Sequence, residues 1–314
     1  MKVLITGGAG FIGSHLADRL VADDHSVTLL DNLSTGKKEN ILGAAASARL
    51  IIADVRDSEA VHAAMSGMDA VVHLAAVASV QASMHDPLGT HETNLGGTLH
   101  CLEAATQQGV QRFLYASSAA IYGDEAPVPV TEIARSAPLS PYAIDKLAGE
   151  LYLSYFARER ALNTTAFRFF NIYGPRQDAS SPYSGVISLF ADRLAAGLPF
   201  LIYGDGRQTR DFVYVDDLVD VLVCALVRED LRGTVMNVGA GQEQELLSLI
   251  TAFEGWAGRA ISRQFLSARR GDIGRSCADV TRLRAALGFT PSTSLSEGLN
   301  CFLGSLVAAT CCEV

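Results

Sequence analysis

The sequence predicts an α/β chain whose main body is a doubly wound parallel sheet, with a smaller discontinuous α/β cap. Three observations carry this. Short β-branched runs alternate with helical segments through the first 120 residues, a glycine-rich turn follows the first run, and Gly/Pro/Ser-rich excursions interrupt the pattern later. Strands that read as near-continuous apolar runs between helices belong to a parallel sheet buried on both faces.

The strand candidates are, in order, "KVLIT", "VTLLD", "RLIIADV", "AVVHLAA" and "RFLYASS", each followed by a polar or Gly-marked crossover. A sixth run, "TTAFRFFNIYG" (Thr164 to Gly174), extends the series, and "DFVYVDDLVDVLVCAL" reads as a short strand passing into a helix. Between them "GPRQDASSPYSG" marks an excursion away from the sheet. The closing 75 residues add helical pieces such as "EQELLSLITAFEGW" and "LSEGLNCFLGSLV". The expected division is a main domain of residues 1–173 and 207–238 and a cap of 174–206 and 239–314.

The 314 residues, 49% hydrophobic, suffice for a large core, and the net charge of -9 with no cationic run argues against a nucleic-acid or anionic-membrane partner. Partners are expected to be small molecules or other subunits. Six cysteines without a CxxC pair read as reduced thiols, and the apolar run in "MKVLITGGAG" is too short for a signal peptide or a span, so a cytoplasmic location is expected. The seven histidines form no ligand-like pair, and no metal site is expected.

"TGGAGFIGSHLADRL" places Gly7, Gly10 and Gly13 between a strand and an amphipathic helix. Glycines there let the backbone turn tightly and approach a pyrophosphate, while the helix start offers unpaired N–H groups to its charge. Asp31 ends the second strand 18 residues after Gly13. Its carboxylate suits the ribose hydroxyls of an adenine dinucleotide and repels a 2′-phosphate, which favours NAD over NADP. Asp54, at the end of the third strand, reads either as an acceptor for the adenine amino group or as a solvated strand-end carboxylate.

In "LSPYAIDKLAGE", Ser140 and Pro141 are a favoured N-cap and first helical residue, so Tyr142 falls in the first turn. Lys146, one of only four lysines, lies four residues on and shares its face. The helix N-terminus, the Lys146 ammonium and a bound nicotinamide cation would together acidify the phenol, making Tyr142 a general base. Read blandly, the pair packs along a helix surface. Ser117 and Ser118 both sit at the carboxyl edge of the fifth strand, and spacing alone does not choose between them.

Taken together, "TGGAGFIG", "DNLSTG", "HLAA", "TNLGGT", "SSAAIYG", "YAIDK", "RFFNIYGPRQ", "GDGRQTRDFVYVDD" and "RRGDIGRSCAD" resemble the extended short-chain dehydrogenase/reductases, and within them the UDP-sugar 4-epimerases. The resemblance covers essentially the whole chain. It implies a Rossmann NAD-binding domain with a nucleotide-sugar-binding cap, and a homodimer through the helices containing Cys101 and Tyr142. It selects Ser118 over Ser117 as the catalytic hydroxyl, Tyr142 as the base and Lys146 as the residue that holds the nicotinamide ribose. It further implies NAD contacts at Gly7, Gly10, Phe11, Ile12, Gly13, Asp31, Asn32, Asp54, Val55, Leu74, Ala75, Ala76, Asn94 and Phe169, the last standing where a tyrosine is usual. Around the sugar nucleotide it places Ser118, Asn171, Val186, Leu201, Tyr203, Arg210, Arg269, Asp272 and Ser276. Arginines suit a diphosphate because they are permanently charged and bind oxygens in pairs.

Two departures sharpen the expectation. Where related dehydratases and decarboxylases carry acids after the hydroxyl residue, this chain has Ala119 and Ala120, so elimination lacks its acid. At the position that gates the sugar pocket in the epimerases stands the small Ser276, which favours UDP-N-acetylglucosamine interconverting with UDP-N-acetylgalactosamine, with or without the unacetylated pair. The alternatives are a UDP-glucuronate 4-epimerase, a net NAD-dependent dehydrogenase that releases NADH, and a non-catalytic redox sensor that would not need Tyr142.

Overall fold

The computed structural model describes residues 1–178, 185–268 and 273–311. Its elements begin β1 (Lys2–Thr6), α1 (Phe11–Ala22), β2 (Ser26–Asp31), β3 (Arg49–Ile52), α2 (Ser58–Met65), β4 (Ala70–His73), α3 (Val80–His85) and α4 (Pro87–His91). They continue α5 (Gly97–Gln107), β5 (Arg112–Ser118), α6 (Pro141–Glu159), β6 (Thr164–Phe169), β7 (Asn171–Tyr173), α7 (Val186–Ala195), β8 (Phe200–Tyr203), β9 (Thr209–Arg210) and β10 (Phe212–Tyr214). The remainder is α8 (Val215–Leu226), β11 (Thr234–Val238), β12 (Gln244–Glu245), α9 (Leu246–Ala257), β13 (Arg263–Leu266), α10 (Thr281–Leu287) and α11 (Leu295–Cys311).

Seven strands form one sheet in the order β11-β6-β5-β4-β1-β2-β3; β1 to β6 fall on the six apolar runs, and β11 lies outside the runs that mark strands in the sequence. From β3 through to β6, every neighbouring pair runs parallel. Strand order reverses between β1 and β4, and in such sheets ligands bind at the carboxyl ends beside this reversal. Leu4, Val71, Phe113, Tyr115, Leu153 and Phe156 belong to the core that locks α2, α5 and α6 onto the sheet. Fully buried β-branched and aromatic strands of this kind supply the largest favourable term in folding.

Packing divides the chain into two compact units, the first of Met1–Ile121, Pro138–Phe169 and Val219–Met236, the second of Tyr122–Ala137, Phe170–Leu218 and Asn237–Val314. The lines differ from the expected boundaries, and the reasons are local. The run read as one strand breaks at Phe170, whose N–H donates to Val238, so Asn171–Tyr173 leaves the sheet and pairs with β10 instead. Tyr122–Ala137 joins the second unit through the Tyr122 hydroxyl on Asn237 Oδ1 at 2.6 Å and the bridge between Val130 and Ala278.

Three strand pairs frame the second unit: β7 with β10 and β8 with β13, both parallel, and β9 with β12, antiparallel. Its core is aromatic, with Phe190 stacked on Phe200 at 4.2 Å and Phe253 edge-on to Phe200 at 5.4 Å. Among the described residues, no helix is long and apolar enough to cross a membrane.

Candidate active site

The turn after β1 leaves no room for side chains. Gly7 has φ +69, and a Cβ on it would meet the Ala75 nitrogen at 2.9 Å, while one on Gly13 would strike the Gly7 carbonyl oxygen at 2.2 Å. Helix α1 starts from Gly10 with neither a side-chain cap nor an acidic residue in its first turn, so its leading N–H groups are available to an anion. Phe11 and Ile12 open that helix, partly buried. Asp31, buried at the end of β2, accepts from Ala9 N–H at 2.9 Å and Leu33 N–H at 2.8 Å, and Gly36 lies so close that any side chain there would hit the carboxylate. The arrangement fits a dinucleotide, with bare helix N–H groups for the pyrophosphate and a fixed carboxylate for a ribose.

The neighbouring expected residues are less free. The Asp54 carboxylate accepts from Arg56 Nε at 3.0 Å and from Asn32 Nδ2 at 2.8 Å, and the Arg56 guanidinium holds it well below the usual carboxylate range. Asn94, buried in a π-helical turn (Glu92–Gly96), spends its amide on the Val77 backbone: Oδ1 accepts from Val77 N–H at 2.7 Å and Nδ2 donates to Val77 O at 3.1 Å. Asn94 therefore secures the loop that follows Leu74, Ala75 and Ala76. Val55 is buried, against Gly97 at the start of α5.

Sequence reasoning missed His73, at the end of β4. Its Nδ1 lies 2.7 Å from Thr6 Oγ1 and its Nε2 3.0 Å from Thr98 Oγ1, whose own proton goes to the Asn94 carbonyl at 2.5 Å. Thr98 must thus accept from His73, which leaves Nδ1 as the acceptor for Thr6. Burial, helped by the Lys146 charge, pushes the imidazole down to about 3 and keeps it neutral. A lone histidine in "VVHL" carries no periodic signal, so only the contact pattern reveals it.

Helix α6 begins as its sequence predicts, with Ser140 Oγ accepting from Ala143 N–H at 3.2 Å and Pro141 at the first position. Tyr142 and Lys146 share one face, and the Ser118 hydroxyl lies close enough to the Tyr142 phenol to draw its pKa down. Lys146, 3% exposed, donates to the Ala116 carbonyl at 2.7 Å, with its ammonium 5.9 Å from the Tyr142 ring centre. The two adjacent serines part company here. Ser117 is buried and donates to Glu150, whereas Ser118 is half-buried beside the phenol and faces Phe169 across the β5–β6 register.

The low-polarity surroundings push the Tyr142 phenol above its ordinary value, against the downward pull of Ser118, so the protein alone does not acidify it. Burial likewise brings Lys146 down to about 8, despite the opposing pull of Asp145.

In the second unit, Asn171, Val186, Leu201, Tyr203 and Arg210 line one cavity of about 410 Å³, together with Phe190, Phe212, Gln208 and Gln244 among others. Of the last four, Gln208 and Phe212 fall inside the motif "GDGRQTRDFVYVDD" without a role implied for them, and Phe190 and Gln244 fall in none of the motifs that carry the resemblance. Arg210 is drawn onto the carbonyls of Thr209 and Ile273, each at 2.7 Å. Ser276 is half-buried, its N–H 3.4 Å from Thr209 Oγ1, and is not among the residues lining that cavity. Arg269 and Asp272 lie outside the described residues.

Residues 3–239 match the family model of the NAD dependent epimerase/dehydratase family. A UDP-glucose 4-epimerase of Mycolicibacterium smegmatis is 40% identical over 308 residues, 95% of this chain and 96% of the relative. The structure of a UDP-N-acetylglucosamine 4-epimerase from Methanobrevibacter ruminantium M1, in complex with UDP-N-acetylmuramic acid, superposes with a TM-score of 0.94 at 34% identity, covering 98% of both chains. A UDP-glucuronic acid 4-epimerase from Bacillus cereus, in complex with UDP-glucuronic acid and NAD, gives 0.91 at 29% identity over 98% of this chain and 100% of that one. With the glycine turn, the carboxylate of β2 and the Ser118–Tyr142–Lys146 group in place, the chain belongs to the NAD-dependent epimerase/dehydratase family.

Proposed function

We propose that the protein is a UDP-sugar 4-epimerase that favours UDP-N-acetylglucosamine and UDP-N-acetylgalactosamine. The observation that carries this reading is the grouping of Tyr142 with a buried Lys146 that is bonded to the strand ending in Ser118, followed by Ala119 and Ala120 where an eliminating enzyme needs acids. NAD, held by the turn from Gly7 to Gly13 and by Asp31, supplies reversible acceptance of the hydride from sugar C4.

Tyr142 takes the proton of the 4-hydroxyl as a phenolate and later returns it to the opposite face. Ser118 hydrogen-bonds the reacting oxygen as it becomes a ketone, and Lys146 steadies the nicotinamide ribose. Because burial raises the phenol, its ionisation depends on positive charge arriving with the bound cofactor. Arg210 holds the diphosphate with Arg269, Leu201 and Tyr203 flank the uracil, Asn171 and Val186 line the nucleotide end, and Asp272 takes the uridine ribose. No net redox change occurs. The small Ser276 supports an N-acetylated substrate.

A homodimer is part of the same reading. Ile144, Leu151, Tyr152 and Tyr155 expose 53%, 67%, 41% and 41% of their surface at helical spacing on α6, an apolar stripe suited to a second copy. Cys101, Cys224, Cys277 and Cys301 are free thiols, in keeping with a reducing, cytoplasmic setting.

The deciding experiment incubates the protein separately with UDP-glucose, UDP-N-acetylglucosamine and UDP-glucuronate and resolves the products by NMR. Epimerisation of the N-acetylated sugar without added NAD is expected. Reaction of the uronate alone overturns the substrate assignment, and accumulation of NADH overturns the epimerase assignment.

A further inference from the structure

Beneath the reacting hydroxyls lies an ion pair that the mechanism above does not use. Arg168 donates to Glu150 through Nε at 2.9 Å and through its terminal nitrogen at 2.7 Å, one bond to each carboxylate oxygen. Both residues are only 6% exposed, and Ser117, 2% exposed, donates to the same carboxylate. Two buried charges are costly to desolvate, and an apolar pair of equal volume would commonly serve stability as well. Stability alone therefore gives weak reason for the pair.

Its placement gives a better one. Ser117 precedes Ser118 on β5, Arg168 precedes Phe169 on β6, and Glu150 lies one helical turn beyond Lys146 and two beyond Tyr142 on α6. Register pairs Ser117 with Arg168 and Ser118 with Phe169, so the strand residues that face the brace alternate with those assigned to the site. Each of the three elements that carry a candidate catalytic or nicotinamide-side residue supplies one member. An apolar contact is non-directional and tolerates sliding, whereas a forked guanidinium–carboxylate pair fixes both distance and angle.

We infer that Glu150, Arg168 and Ser117 are positioning residues, a buried brace that sets the height of α6 over β5 and β6 and so holds the Tyr142 phenol against Ser118. This rests on the reading of Tyr142 as the base, and it adds three residues that touch neither substrate nor cofactor.

The test replaces both charges at once with side chains of similar length, Glu150→Met with Arg168→Met, which leaves net charge beneath the site unchanged. In the NAD-loaded double variant, kcat is expected to fall about 100-fold, the cost of an ångström-scale misplacement, with KM for the UDP-sugar within about threefold of wild type. The second readout needs no turnover. The tyrosinate ultraviolet absorbance, taken as the difference from Tyr142→Phe, should titrate at higher pH in the double variant, because the phenol moves away from the lowering influence of Ser118.

A folded double variant with kcat within threefold and an unmoved titration overturns the brace. Should that variant not fold, Ser117→Ala, which removes one strut and keeps the ion pair, should lower kcat several-fold and raise the titration; wild-type values for both overturn the inference. If wild type turns over no UDP-sugar, the proposed function fails, and the titration still reads the brace.

Discussion

Lys146 Nζ donates to the backbone carbonyl of Ala116 at 2.7 Å, and this bond ties the helix bearing the candidate base to the strand that ends in Ser118. The ammonium is buried, and desolvation, set against the opposing pull of Asp145, brings it from 10.5 down to about 8. At about 1.4 kcal/mol per unit, the penalty is about 3 kcal/mol.

Lys146→Met should therefore raise the thermal midpoint of the cofactor-free protein near pH 7 while abolishing epimerisation. The folded-state value lies below the unfolded one, so the unfolded chain binds more protons between about 8 and 10.5. Wild-type stability should accordingly climb relative to the variant as pH rises through that window. Calorimetry of both proteins at several pH values checks the sign, and a wild type that outlasts the methionine variant at pH 7 contradicts it.

His73 works in the opposite part of the pH scale. Its folded value of about 3 lies below the ordinary 6.5, so the unfolded chain takes up a proton that the native one refuses. Stability is full above 6.5 and is lost as pH falls toward about 3. His73→Gln should be less stable than wild type at pH 7 yet show a shallower loss on acidification, measured by urea unfolding at fixed pH. Equal slopes would mean that the imidazole is charged inside the protein.

Removing the phenol should separate chemistry from binding. Tyr142→Phe keeps the ring and the helix, so NAD should remain bound while kcat drops by about 100-fold to 10,000-fold, as general-base losses do. Ser118→Ala should cost less, since it removes one hydrogen bond to the reacting oxygen. Near-normal turnover by Tyr142→Phe would remove Tyr142 as the base.

Ser276→Tyr probes the substrate choice. A bulky ring in place of the small hydroxyl should lower turnover of UDP-N-acetylglucosamine relative to UDP-glucose by about tenfold or more, through exclusion of the acetamido group. Competition between the two sugars in one tube reads the ratio, and an unchanged ratio removes Ser276 from the specificity argument.

Much of the fold was legible because its signals are local. Gly7, Gly10 and Gly13 announce a turn that tolerates no side chain, Ser140 and Pro141 announce a helix start, and four-residue spacing puts Tyr142 and Lys146 on one face. The division into units was less legible, because whether Asn171–Tyr173 stays in the sheet depends on a partner, β10, that lies about forty residues on.

The sequence by itself determined the alternation of strand and helix, the glycine turn with Asp31, and the helical face that Tyr142 and Lys146 share. Tertiary structure alone decided that Ser117 is taken up by Glu150, that His73 stands neutral between two threonines, and that Glu150 and Arg168 neutralise one another beneath the site. The physical reason is range: turns, caps and helical faces are set within a few residues, whereas desolvation and ion pairing depend on neighbours that only the folded chain brings together.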